Sequence, residues 1–104
     1  MFTASYPATF LRERNPPGFH VRFPDLPEAL TSGEDLADTQ LQAADCLAEA
    51  IAGRIARNDP IPSPSRAKRG QHVIGVPLYL APKLALYLAM RAPIFPSAWE
   101  SAKP

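Results

Sequence analysis

Hydrophobic and polar residues alternate with a period of two in two stretches near the amino terminus. Tyr6, Ala8 and Phe10 alternate with Pro7 and Thr9, and Phe19, Val21 and Phe23 alternate with His20 and Arg22. Each pattern predicts a strand with one apolar face, and the two apolar sets are expected to face the same layer. Pro7 marks a strand start or an edge. The intervening Arg12 to Gly18, RERNPPG, combines charge, two prolines and a terminal glycine, and is expected to be a hairpin loop. Pro24 and Pro27 flank Asp25-Leu26 and stop the second strand in a turn, after which Ala29 to Ser32 is expected to be a short extended piece.

The period then changes. Gly33 permits an unusual backbone angle, and Asp35 is suited to accept the free amides of a helix start, with Asp38 three residues on resembling a capping box. The helix is expected to run to about Asn58. Counting from Leu36, the residues Ala43, Ala44, Leu47, Ala50, Ile51 and Ile55 fall within roughly 140° of one another, wide enough to cover a sheet. Asp38, Gln42, Asp45 and Glu49 fall on the opposite side, while Gln40 and Arg54 interrupt the apolar stripe.

Asn58 to Gly70, NDPIPSPSRAKRG, reads as an extended, partly mobile proline loop. Val73, Ile74 and Val76 mark a fourth strand, which a helical crossover would return to the sheet as a parallel neighbour. Lys83 to Arg91, KLALYLAMR, is rich in helix formers, with Pro82 acceptable in its first turn. Leu84, Leu86, Tyr87, Leu88 and Met90 leave that helix almost no polar side. So small a domain can cover only one of its faces, so a protein partner or a second copy is expected there.

The predicted order β-β-β-α-β-α describes an α+β domain over residues 1–91, a small three- to four-stranded sheet covered by one long helix. A short irregular tail, 92–104, follows, with Trp99 as a candidate anchor.

Length and composition limit the possibilities. A chain of 104 residues is one domain with one modest core, and 46% apolar content with nine aromatic residues (Phe 5, Tyr 3, Trp 1) argues for a folded protein. The net charge of +1 gives no general drive toward nucleic acid or an acidic membrane. It conceals an asymmetry, with acids crowded from Asp25 to Glu49 and bases at Arg54, Arg57, Arg66, Lys68 and Arg69. The lone Cys46 cannot form an internal disulfide or a cysteine-cluster zinc site and reads as a small helix residue in a reducing compartment. The start of the chain shows no secretory pattern, and Pro77, Pro82 and Lys83 break the apolar region Val73 to Met90, so a cytoplasmic protein without a membrane span is expected.

No catalytic grouping stands out. Asp25, Asp35, Asp38, Asp45 and Glu49 could pass for a metal-nuclease cluster, but the helical spacing puts Asp38, Asp45 and Glu49 on the outward face and gives Asp35 a capping role. That leaves a solvated helix face or an acidic surface complementary to a basic partner. His20 and His72 satisfy no common zinc spacing, and Ser63 and Ser65 lack a nucleophile signature. No metal, cofactor or enzymatic activity is expected. The run Arg66, Lys68, Arg69 could touch nucleic-acid phosphates, but no aromatic residue is interleaved for stacking.

Several segments in this order resemble the HicB family of bacterial antitoxins. They are Tyr6-Pro7-Ala8, the stretch from Gly18 to Pro27 (GFHVRFPDLP), Gly33-Glu34-Asp35-Leu36, Ile61-Pro62-Ser63-Pro64-Ser65 and the closing Lys83 to Arg91. The resemblance spans residues 6 to 91. It implies a partial ribonuclease-H-like fold that blocks a small RNA-cleaving toxin, HicA, in a type II toxin-antitoxin pair. Many members also carry a carboxy-terminal DNA-binding module, and the 13 residues after Arg91, three of them proline, do not provide one, so operator binding is not carried over. The expected function is therefore an antitoxin that neutralises a HicA-like toxin by occlusion and self-associates. Asp25, Asp45, Glu49, Ile61, Pro62 and Pro64 are the candidate partner contacts, and Leu84, Tyr87, Leu88 and Met90 the candidate partner or oligomer helix. The alternative is a nucleic-acid-binding or transcription-regulating module acting through Arg66, Lys68 and Arg69.

Overall fold

A computed structural model describes residues 4–91; the expected tail, with Trp99, lies outside the described residues. The elements are β1 (Ser5–Arg14), β2 (Pro17–Phe23), β3 (Leu26–Gly33), α1 (Leu36–Arg57), β4 (His72–Gly75) and α2 (Ala81–Arg91). The four strands form one sheet in the order β3-β2-β1-β4. The α+β class and the covering of the sheet by one long helix are as the residue pattern predicts.

The first two strands are longer than expected. Arg12, Glu13 and Arg14 continue β1, opposite Phe19, Gly18 and Pro17, and only Asn15 and Pro16 are left to turn the hairpin. Charged side chains do not break a strand when they find cross-strand partners. The Arg12 guanidinium lies over the Phe19 ring, 5.7 Å from its centroid, and Glu13 lies 3.4 Å from His20. Pro7 is tolerated in what looks like a central strand for a local reason. β1 pairs with β4 over Ser5–Ala8 and with β2 over Thr9–Arg14, so it is an edge wherever it is not paired.

The third strand is also longer, Leu26–Gly33, and a register shift at Arg22/Phe23 absorbs the Pro24-Asp25 turn. The fourth strand corrects the expectation of a parallel crossover, because β4 pairs antiparallel with β1. The physical reason lies in the proline segment. α1 carries the chain back along the sheet, and the extended loop from Asn58 to Gln71 carries it forward again before β4 begins, so the strand enters in the opposite sense.

α1 starts and stops as its end residues dictate. The Asp35 side chain accepts from the Asp38 amide at 2.8 Å, the Asp38 carboxylate accepts from the Glu34 amide at 2.9 Å, and Asn58 closes the helix at φ 59° in the left-handed region. Its inward stripe buries Ala43, Leu47, Ala48 and Ile51 against Tyr6, Ala8, Val21, Phe23, Leu26 and Ala29 of the sheet. Ile74, Val76, Leu80 and Leu84 close one end of this core.

Thr39 is fully buried although it is polar; its hydroxyl donates to the Asp35 carbonyl, which satisfies it. It lies against Gly33, where an added Cβ would sit 2.7 Å from the Thr39 amide nitrogen. A backbone atom cannot swing aside as a side-chain tip can, so Gly33 is required by close approach. Gly33→Ala is expected to cost ~2 kcal/mol or more through overpacking, read as a lower urea midpoint at unchanged slope. Gly75→Ala, whose Cβ would meet only Ser5 Oγ at 3.8 Å, is expected to leave the midpoint near wild type. Equal midpoints for the two variants would show that the helix entry does not depend on bare backbone at residue 33.

Candidate partner interface

The candidate contact residues separate into two places. On one side, Asp45 and Glu49 project from α1 with Ala48 and Ala52, a spacing of i, i+3, i+4, i+7 that sets all four on one helical face. The turn between β4 and α2 faces them with Tyr79 and Leu80, and together these residues line a cleft of about 350 Å³. Leu80 is buried and forms the floor. Tyr79 is 77% exposed and Leu78 beside it 72%, which is much apolar surface for one turn. Among the described residues neither Asp45 nor Glu49 pairs with a cation, since the ion pairs are Glu13 with His20, Glu28 with Arg54 and Asp59 with Arg57.

Tyr79 and Leu78 were not singled out by the residue pattern. The signal available was an aromatic residue two positions after Pro77, between a strand and a helix, where no core position requires a ring.

On the other side lies the proline loop, which side chains from the sheet and both helices hold along residues 58–65. The Tyr6 hydroxyl donates to the Pro62 carbonyl at 2.7 Å; burial chiefly, and the Asp25 carboxylate next, raise the pKa of this phenol, which keeps it a donor. Asp25 accepts from both the Ser65 amide, at 2.8 Å, and the Ser65 hydroxyl. Arg54 bridges Glu28 of β3 and the Pro60 carbonyl. At the loop's start, Tyr87 of α2 donates to the Asp59 carbonyl, and Arg91 donates to the carbonyl and side chain of Asn58 at 2.9 Å each. Arg91 therefore sits at the negative end of the α1 dipole.

This fastening gathers Ile61, Pro62 and Pro64 with Tyr6 and Leu88 around a second cleft, of about 290 Å³. The Asp25 carboxylate is engaged within the chain. Of the α2 candidates, Leu84 is fully buried in the core, Tyr87 is half-buried with its hydroxyl bonded, and Leu88 is half-buried against the core. Met90, 73% exposed, and Leu86, 61% exposed, lie one turn apart on the open face. Arg66, Lys68 and Arg69 are exposed in the outer part of the loop without carboxylate partners among the described residues.

His20 is exposed beside Glu13, and His72 stacks on Phe10 at 4.1 Å between centroids, so the two histidines serve different contacts. Among the described residues no group of three or more His, Cys, Asp or Glu is placed to hold a metal ion. Burial pushes the Cys46 thiol up, aided by Glu49 and Glu28, so it stays protonated at neutral pH. No described helix is long and apolar enough to cross a membrane. The arrangement is equipped for binding through charge and apolar contact.

Comparison with known proteins agrees in kind. Residues 5–97 match the family described as HicB-like antitoxin of bacterial toxin-antitoxin system. Antitoxin HicB of Escherichia coli K12 is 42% identical over 69 residues, covering 66% of this chain and 50% of that protein. Antitoxin HicB 1 of Photorhabdus laumondii is 37% identical over 81 residues, 78% of this chain and 50% of its own length. Antitoxin HicB 2 of the same organism is 35% identical over 85 residues, 82% of this chain and 58% of its length. The chain thus spans about half the length of the curated relatives it matches.

The Glu28–Arg54 pair makes the loop's attachment sensitive to acid. The Arg54 guanidinium hydrogen-bonds the Glu28 carboxyl and, against some opposing burial, holds its pKa at about 2, below the usual 4.5. A depressed carboxyl pKa stabilises the fold fully above the usual value and progressively less as pH falls through the depressed one. With both groups partly exposed, screening reduces the contribution to ~1 kcal/mol. Glu28→Gln is expected to lose that amount at neutral pH, the gap to wild type narrowing as pH falls from about 4.5 toward 2 in urea titrations. A gap independent of pH would assign the loss to something other than this ion pair.

Proposed function

The chain belongs to the HicB-like antitoxin family, and from that premise we propose that it is the antitoxin of a type II pair which binds a HicA-like, RNA-cleaving toxin in the cytoplasm and denies it RNA. The observation that carries this reading is the cleft in which Asp45 and Glu49, carboxylates without cationic partners among the described residues, stand beside the exposed Tyr79 ring. A protein that cleaves RNA must offer cations to phosphates, and carboxylates held on a rigid helix compete for those cations. The ring and Leu78 add the desolvated apolar contact that turns electrostatic attraction into affinity. Neutralisation is by occlusion, with no bond made or broken by the antitoxin. The partial ribonuclease-H-like arrangement serves as a platform, and Leu86 and Met90 on the open face of α2 offer the partner a second apolar contact.

The proline cleft at Ile61, Pro62 and Pro64 is the other surface available to the toxin. An extended segment already held by Tyr6 and Asp25 loses little further freedom on binding. The reading in which Arg66, Lys68 and Arg69 bind nucleic acid has their exposure in its favour, but the bases stand without an aromatic ring among them.

Co-expression with a HicA-like toxin is expected to give a co-purifying complex and restored growth. Asp45→Lys and Tyr79→Ala, both at the surface, are each expected to weaken the complex about tenfold, roughly 1.4 kcal/mol, in calorimetric titration. Neutral substitution of Arg66, Lys68 and Arg69 together is expected to leave neutralisation intact. A toxin bound equally well by both cleft variants would remove this cleft from the interface, and salt-sensitive nucleic-acid binding lost with the three bases would favour the alternative.

A further inference from the structure

Asp45 and Glu49 stand one turn apart on α1, so two carboxylates share one helical face. Like charges at this spacing repel, and a cation three or four positions away along the helix is the usual remedy. Those positions hold Leu41, Gln42, Cys46, Ala48, Ala52 and Gly53, none of them charged. Across the cleft the base closest in sequence is Lys83, four positions beyond Tyr79, and it forms no ion pair among the described residues.

The remaining lining is apolar. Ala48 and Ala52 keep the helix wall low, buried Leu80 closes the floor, and the exposed Tyr79 ring stands opposite the two acids. Elsewhere this chain lays an arginine over a ring, Arg12 on Phe19 at 5.7 Å and Arg91 on Tyr87 at 5.4 Å. Among the described residues the Tyr79 ring receives neither a cation nor a second ring. The cleft thus combines a vacant ring, two carboxylates without a cation and room for one long side chain.

These features together limit the occupant. An apolar side chain would cover the carboxylates without pairing them, which opposes binding. A lysine ammonium is a compact, strongly hydrated charge and gives up its water reluctantly to lie on a ring. A guanidinium has weakly hydrated faces that stack on an aromatic ring and an edge of donors that suits carboxylates. We propose that this cleft is the seat of a single arginine of the toxin, its guanidinium laid on Tyr79, its edge donating to Asp45 and Glu49, and its stem over Ala48, Ala52 and Leu80. The inference rests on the reading of the chain as a toxin-binding antitoxin and names the side chain that anchors the complex. An arginine held in this way cannot pair with a phosphate. Its arrival also relieves the repulsion between the two acids, so the free chain carries a charge arrangement that the partner completes.

Double-mutant cycles with a HicA-like toxin test this. Each arginine and lysine of the toxin is changed singly to glutamine and titrated calorimetrically against the wild-type chain, Asp45→Asn, Glu49→Gln and Tyr79→Leu. One arginine is expected whose change weakens the wild-type complex about tenfold or more and the variant complexes far less. Lysine at that toxin position is expected to restore only a minor part of the loss. Tyr79→Phe is expected to recover most of the affinity that Tyr79→Leu loses, because the ring and not its hydroxyl makes the contact. In the free chain, Asp45→Asn is expected to leave the urea midpoint at or above the wild-type value, since it removes a repulsion, which separates weaker binding from a weaker fold. A complex in which no arginine is coupled to these three residues, in which only a lysine is, or in which lysine replaces the arginine without loss, would overturn the inference and leave the antitoxin reading standing. Absence of any complex would remove both.

Discussion

The burial of one sheet face beneath one helix is the constraint on which the remaining structure rests. Tyr6, Ala8, Val21 and Phe23 supply the sheet's contribution, and Ala43, Leu47 and Ile51 supply the helix's. Small residues alternate with large ones along α1, so the helix settles close to the strands, and at Gly33 the strand runs so near the helix start that no side chain fits. Because the inward stripe of α1 is spent on the sheet, its outward stripe is free to carry charge.

A second layer of organisation is polar and acts at the ends of the elements. Thirteen prolines in 104 residues would by themselves leave a loose connection, and the long segment after α1 contains three of them. It is fixed by side chains arriving from four directions: Tyr6 from β1, Asp25 from the β2–β3 turn, Arg54 from α1, and Tyr87 with Arg91 from α2. Each is individually worth about 1 kcal/mol, yet together they define the path of the backbone. The Pro60, Pro62 and Asp59 carbonyls that receive them belong to a segment with no strand or helix partner of its own. A prolyl segment keeps its acceptors while losing donors, which suits it to being held in this way.

These two layers divide the surface by chemistry. The outward side of α1 is acidic and adjoins an exposed aromatic turn; the outer part of the loop is basic and lacks rings; the β3 edge is uncharged over its last five residues. A near-neutral total conceals all three. Recognition in a family of antitoxins is better served by such segregated surfaces than by net charge, because unlike partners can be met on separate faces without competing for one patch.

Much of this was legible in the residues themselves. The period-two runs at Tyr6–Phe10 and Phe19–Phe23, the 3.6-residue stripe of α1 and the Asp35 and Asn58 ends are local properties, set by side-chain direction and by the orphan amides and carbonyls of a helix. What only the tertiary structure decided involves partners distant in sequence. RERNPPG reads as a loop until Phe19 and His20 are seen to receive Arg12 and Glu13. Arg54 reads as a flaw in an apolar stripe until Glu28 is placed beside it, and Asp25 as a free acid until Ser65, 40 residues on, donates to it. The sense of β4 and the meeting of Tyr79 with Asp45 and Glu49 depend on where a proline segment is fastened. No local propensity encodes that, because the bonds that fasten it join positions far apart in the chain, 56 residues for Tyr6 with Pro62 and 62 for Thr9 with Gln71.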